Sequence, residues 1–220
     1  MLSRAAAVVA PALGRLTVTR DGVTAIPAGS LFVANHDSMA DPVVVLAALR
    51  RLGVEPAVMA TAGLWRVPVL GGALTRGGHI PVHRRSVRAA QALDLAAEAL
   101  AAGRHVLIYG EGGLPDRLDP APGPPERFRT GAARLAARSG ALVVPVGHAG
   151  ARRISSGSTA KQLAGAVSSP LRRPRFHVHV GLPLRLPTET ERATLAAHVA
   201  VSGAWERAVS AVGPMPGNPA

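Results

Sequence analysis

The chain reads as an α/β domain in which helices flank a largely parallel central sheet, and three observations predict it. Short apolar runs recur at 30–35, 57–60, 105–109, 142–146 and 175–180 and read as strands. Stretches with helical periodicity separate most of them, and that alternation is the pattern of an αβ sandwich. At 220 residues the chain is long enough for one full hydrophobic core and short for two. A single domain is therefore expected over 1–212, followed by a disordered tail at 213–220 that is rich in Pro and Gly.

The elements follow in order. At the N-terminus, Arg4 precedes the apolar Ala5 to Ala10, and Ala10-Pro11-Ala12 resembles a processing site. The apolar part is too short for a signal peptide, so an interfacial or core-packed segment is expected. Leu31 to Ala34 is a buried strand, and Pro42 to Leu49 a helix with Pro at its first position. Ser86 caps an amphipathic helix carrying Val87, Ala90, Leu93, Ala97 and Leu100, which stops at Gly103. Further helices are predicted over 130–139 and 189–212, the last opened by Thr188 with Glu191 as a capping box. Residues 112–126, with five prolines, and residues 149–174, rich in Ser, Gly and Arg, are expected to be irregular.

Composition narrows the function. Aromatics are only 3% of the chain, too few for the stacking surfaces of a single-stranded nucleic-acid binder, so no nucleic-acid partner is expected. The formal charge is +12, and from Arg127 through Thr188 eleven basic residues stand with no acidic one. Such an excess suits polyanions, among them coenzyme A phosphates, an acidic carrier protein and an anionic leaflet; the plain alternative is a soluble surface that uses Arg for Lys. The absence of cysteine excludes a thiolate nucleophile. No apolar run reaches the roughly 18 residues of a membrane span.

The chemistry concentrates in Asn35-His36-Asp37-Ser38-Met39-Ala40-Asp41, at a strand-to-helix turn. A histidine accepts a proton near neutrality, and a carboxylate beside it fixes the tautomer and stabilises the imidazolium. Asp41 before Pro42 is equally the pattern of a helix cap. With no GxSxG in the chain, the hydroxyl to be activated belongs to a substrate. Among the other histidines, His177 and His179 share a strand face and lack a third metal ligand, so no metal is expected. Pro81 between His79 and His83 blocks a helical pair.

Three more blocks follow the first. Leu64 to Leu74 leads into Gly78-His79-Ile80-Pro81-Val82-His83-Arg84. Then come Tyr109-Gly110-Glu111-Gly112-Gly113, continued by Phe128-Arg129-Thr130-Gly131, and finally Val143-Val144-Pro145-Val146-Gly147. Taken in order, the four blocks resemble the glycerolipid acyltransferase family over residues 30–150. The resemblance implies His36 as general base, Asp41 as its orienting partner and Asn35 beside them. It implies Arg84 at an acceptor phosphate, and Glu111, Gly112 and Gly113 in the substrate loop. Where the family commonly reads Glu-Gly-Thr-Arg, this chain has Gly113 and Leu114, so one phosphate-binding arginine is missing. Either Arg117 or Arg129 takes its place, or the acceptor carries no phosphate there.

The implied activity is O-acyl transfer from acyl-CoA or acyl carrier protein to the hydroxyl of a lysophospholipid such as 1-acylglycerol-3-phosphate, in phospholipid biosynthesis and without a further cofactor. The rivals are an amino-acid lipid or glycolipid acceptor, and a noncatalytic relative that binds anionic lipid. The expected location is cytoplasmic, held peripherally at the cell membrane by the N-terminal segment and by the cluster Leu64, Trp65, Val67, Val69 and Leu70; the competing reading makes that cluster core.

Overall fold

A computed structural model describes residues 2–22, 25–84, 89–114, 123–154 and 159–213. Seven strands form one sheet: β1 (Arg15–Arg20), β2 (Leu31–Ala34), β3 (Ala57–Thr61), β4 (Ile80–Val82), β5 (Val106–Tyr109), β6 (Val143–Ala149) and β7 (Arg175–Val180). Their order is β1-β7-β6-β2-β5-β3-β4. The five from β6 to β4 run parallel, whereas β7 is antiparallel to β6 and carries β1 parallel to itself. The helices are α1 (Leu2–Leu13), α2 (Asp41–Arg51), α3 (Leu70–Arg76), α4 (Ala89–Ala101), α5 (Gly131–Ser139), α6 (Thr159–Arg172) and α7 (Thr190–Val212).

All four residues of β2 are buried, because the strand is central and covered on both faces, which is why it reads as an unbroken apolar run. On one face Phe32 and Ala34 join Leu107, Tyr109, Val144 and Val146 in a core completed by residues of α1 and α2. On the other, Leu31 and Val33 join Val106 and Val143 against residues of α4, α5 and α7. The N-terminal segment is thus a helix with one core-packed side, Ala6 and Ala10, and one exposed side, Val8 and Val9.

Several sequence expectations change. β1 and β4 were not anticipated. The first alternates Arg-Leu-Thr-Val-Thr-Arg with only Leu16 buried, and the second is a three-residue edge strand that tolerates Pro81 because it has a neighbour on one side alone. Residues 149–174 are not irregular as expected: a 3₁₀ turn at Ala151–Arg153 precedes α6, which forms despite its Ser and Gly content and reaches α1 through the buried Ser169 hydroxyl, a donor to the Leu13 carbonyl. A 3₁₀ turn at Ala62–Arg66 and α3 also lie where no helix was expected. The capping box at Thr188 is absent, since α7 has Glu189 at its cap position and no side-chain cap bond. The Ser86 cap and the tail beyond Gly213 lie outside the described residues.

The basic segment from Arg127 is not one continuous patch. Arg138 pairs with Asp94 of α4, Arg152 is buried against Asp37, and Arg185 donates to the Gly140 carbonyl.

With few aromatics, close approach of small residues supplies the packing. Gly147 in β6 is the tightest case, because a β-carbon there would run into the α7 backbone at Ala204 and Trp205. Replacing Gly147 by Ala is expected to cost about 1–3 kcal/mol of stability, as overpacking of a filled core does. Urea denaturation checks this, and an unchanged midpoint would show that α7 can move away from the sheet.

Candidate active site

β2 delivers the chain to the carboxyl end of the sheet, where β5 and β6 also end. The next residue, Asn35, is buried, and its side chain extends the ladder by one step. Its amide nitrogen donates to the His148 carbonyl at 3.1 Å, and its amide oxygen accepts the His148 N–H at 2.9 Å. A side-chain amide has the same donor and acceptor as a peptide group, so Asn35 keeps β2 tied to β6 while the main chain turns away. The residue predicted to touch substrate is thus committed to holding two strand ends together.

The turn is organised by Asp41. Its Oδ2 accepts the N–H of Asp37 at 2.6 Å and of Ser38 at 2.8 Å, and stands 2.9 Å from Nδ1 of His36. These donors precede the carboxylate in sequence, so Asp41 is not the cap of α2; that position belongs to Ala40, which makes no side-chain cap bond, and Pro42 is the second helical residue rather than the first. Asp41 is fully buried. Burial alone would raise its carboxyl, but the nearby His148, the His36 hydrogen bond and the Ser38 N–H together hold it below the ordinary 3.8. It therefore stays anionic at neutral pH.

His36 is 14% exposed at its side chain and stacks on Tyr109, ring centroids 4.3 Å apart and planes within 25°. With Nδ1 directed to a carboxylate that accepts only, the proton sits on Nδ1, and Nε2 carries the free lone pair. That is the tautomer a general base requires. His36 lines a small cleft together with Asn35, Asp37, Glu111 and residues 123–126. From the far side of the loop, Arg152 donates to the Asp37 carbonyl at 2.9 Å and fixes the turn between His36 and Asp41.

The third block closes the other wall. Gly110 donates to the Ala34 carbonyl, and its lack of a side chain admits the Phe128 ring, which a β-carbon would strike. The Arg129 N–H returns to the Gly110 carbonyl at 2.9 Å, so the segment after the Pro-rich loop lies beside Glu111. Gly112 has φ +67°, and its N–H bonds the Tyr109 carbonyl, so that amide closes a turn. The same glycine lets the Arg129 side chain lie flat, with Nε donating to the Glu111 carbonyl at 3.2 Å. On the adjoining side, a β-carbon on Gly113 would stand 3.5 Å from the Arg84 guanidinium. Arg84 and Arg129, 45 positions apart in sequence, thus flank the same glycine pair. Arg117 lies outside the described residues.

The remaining histidines have structural partners. His79 Nδ1 accepts the Val58 N–H at 3.0 Å, and His83 is exposed. His177 and His179 are buried and bond the hydroxyls of Thr17 and Thr19, which fastens β1 to β7.

Two contributors escaped the sequence reading. Tyr109 was quoted only as part of a block, and its ring is the platform for His36. His148 was missed because β6 was expected to end at 146; a histidine inside an all-buried strand was the available signal.

Glu111 is buried, and burial, reinforced by Asp41 and Asp37, lifts its carboxyl to about 8 in spite of backbone hydrogen bonds at Glu111 and His36. In the fold it keeps a proton that the unfolded chain loses near 4.5, so stability falls as pH rises from 4.5 to about 8. The expectation is that Glu111→Gln, which mimics the neutral acid, flattens this decline, with roughly 2–4 °C of melting temperature regained per kcal/mol at the alkaline end. Thermal melts of both proteins across that range check it; parallel curves would mean that Glu111 does not bind the proton.

The same fold occurs in the crystal structure of the 1-acyl-sn-glycerophosphate (LPA) acyltransferase PlsC from Thermotoga maritima, with a TM-score of 0.67 and 17% identity over 94% of this chain and 78% of that one. No curated protein matches the chain by sequence. The model of the family described as Acyltransferase matches residues 17–149, a span that takes in the His36 turn, Arg84, the Glu111 loop and His148. A match over more than half of its length, on the segment that carries His36 and Asp41, establishes that the chain belongs to the acyltransferase family.

Proposed function

We propose that the protein moves a fatty acyl group from the thioester of acyl-CoA or acyl carrier protein to the hydroxyl of a lysophospholipid such as 1-acylglycerol-3-phosphate. The observation that carries this reading is the 2.9 Å contact between His36 Nδ1 and Asp41 Oδ2, which leaves Nε2 as the base. Nε2 takes the hydroxyl proton while the oxygen attacks the thioester carbonyl. The tetrahedral oxyanion collapses with cleavage of the C–S bond, and the imidazolium returns its proton to the departing thiolate, giving ester and thiol. No acyl-enzyme and no further cofactor are needed.

Arg84 and Arg129 form the acceptor site. Their guanidinium groups approach Gly113 and Gly112, and a phosphate between them meets two planar donors. Arg129 thereby takes the part of the arginine that Leu114 replaces. Leu114, 45% exposed at the same loop, favours a second reading in which the acceptor is uncharged at that end. Thiol release from an acyl-CoA with 1-acylglycerol-3-phosphate, and separately with a monoacylglycerol, distinguishes the two. His36→Ala is expected to lose about 10²–10⁴-fold in rate. Arg84→Ala and Arg129→Ala are each expected to raise KM for the phosphate acceptor by about tenfold or more, the size of one lost charged hydrogen bond, and to leave the monoacylglycerol reaction unaffected. Full activity of His36→Ala would remove the assignment of the base.

A membrane-facing tip completes the reading. No described helix is long and apolar enough to cross a membrane. After β3, at the end of the sheet where His36 sits, Val69 adopts φ 67° and ψ −50° in a γ-turn closed by the Leu70 N–H on the Pro68 carbonyl. A β-branched residue is strained in that region, and the strain here holds an apolar side chain 86% exposed beside the exposed Val67. Trp65, Leu64 and Leu70 are half-buried behind it, so the cluster is neither core nor wholly exposed. The Val67→Asp/Val69→Asp variant is expected to reduce binding to phosphatidylcholine–phosphatidate vesicles roughly tenfold, because it forfeits two partly buried valines. Equal sedimentation with vesicles would exclude this tip as the contact.

A further inference from the structure

His148 is a titratable group at the centre of the site to which the mechanism gives no task. It is buried in β6, and its Nε2 stands 2.7 Å from the Asn35 carbonyl and 3.5 Å from Asp41 Oδ2. Both neighbours accept, so the proton is on Nε2, and Nδ1, which has no partner among the described residues, is the bare nitrogen. The contact is reciprocal. The Asn35 side chain bonds both backbone groups of His148, while the His148 ring bonds the backbone of Asn35. The residue immediately before the base is therefore clamped at both its side chain and its carbonyl, and the N–H responsible for the second contact also leans on the carboxylate that orients the base.

We infer that His148 is a positioning residue of the acyl-transfer site: its Nε2–H fixes the Asn35 carbonyl and shares Asp41 Oδ2 with His36, which sets both the direction of the His36 ring and how strongly Asp41 holds the His36 proton. This further N–H on Oδ2, beside the Asp37 and Ser38 amides, drains electron density from the oxygen that receives the His36 Nδ1–H, so Asp41 holds the imidazolium less tightly and the returned proton leaves more readily. The other charged and titratable groups facing this pair are Asp37, paired with Arg152 from the 3₁₀ turn, and Tyr109 and Glu111 from the end of β5. His177 and His179 of the neighbouring β7 are bonded to Thr17 and Thr19.

This inference rests on His36 being the base, and the test separates the two. His148→Leu removes the donor, and His148→Gln places an amide N–H near the position of Nε2. The first readout needs no substrate: the titration of the His36 ring protons followed by NMR, with circular dichroism to establish folding. The second is the pH profile of kcat and KM for thiol release from palmitoyl-CoA with 1-acylglycerol-3-phosphate. In His148→Leu the His36 titration curve and the acid limb of the profile are expected to move to higher pH, with kcat lowered about tenfold and KM little changed. His148→Gln is expected to restore both towards the parent. If the NMR curve of folded His148→Leu coincides with the parent, or if His148→Gln is displaced as far as His148→Leu, the positioning role is refuted. If the NMR displacement appears in a parent protein that releases no thiol, His148 positions His36 as stated and the acyl-transfer reading fails instead.

Discussion

Everything at the carboxyl end of the sheet is arranged around one buried carboxylate oxygen. Asp41 Oδ2 receives two backbone N–H groups from the turn and faces two histidines, a set of partners large enough to keep a charge ionised in a dry place. The backbone donors are five-residue-turn neighbours, so the carboxylate shapes the loop that carries His36 as well as orienting the ring. A cap at α2 would have directed the same oxygens forward into the helix. Turned backward, the carboxylate leaves the Val43 and Val44 N–H groups to the Ala40 carbonyl, with Pro42 carrying no N–H to satisfy, and Asp41 is free for the histidine.

Beside this charge Glu111 and Tyr109 keep their protons. Asp41 is held below the usual carboxylate range, while Glu111, close by and also buried, is pushed well above it, and the Tyr109 hydroxyl is raised by burial together with Asp41 and Glu111. Divergent shifts in neighbouring groups divide the labour, with one permanent anion to support an imidazolium and one neutral acid able to donate. The orphaned atoms fit the same pattern. Asp41 Oδ1, Tyr109 Oη, Glu111 Oε2 and His148 Nδ1 are buried without partners among the described residues, and they surround the His36 turn. Unpaired buried polar atoms cost stability, and a concentration of them here marks where the fold has been shaped for chemistry.

The sequence carried the parallel centre of the sheet and the first block well, because central strands covered on both faces have no choice but to be apolar, and a histidine with a carboxylate at a strand end is conspicuous. It carried the periphery poorly. β1 and β4 are edge elements with few buried side chains, and α6 carries Ser, Gly and an internal Pro170, residues of weak helical preference, among its alanines. In the site, the limits were those of distance in sequence. Arg129 reaches the Gly112 turn only because Phe128 docks on Gly110, and His148 meets Asn35 only because β6 lies beside β2. Neither proximity leaves a trace in local spacing. The two glycines assigned to the substrate loop likewise have arginine side chains lying beside them.

The departure in the third block then takes on a physical meaning. A side chain at Gly112 would be strained at φ +67° and would collide with the Arg129 stem, so the position is restricted to glycine by both backbone and neighbour. Gly113 has an ordinary backbone, and a β-carbon there would stand in van der Waals contact with the Arg84 guanidinium. The close dependence is at Gly112, whose missing side chain provides the space that the Arg129 stem occupies. With Arg129 lying across Gly112, a cation from outside the loop's own sequence stands beside it.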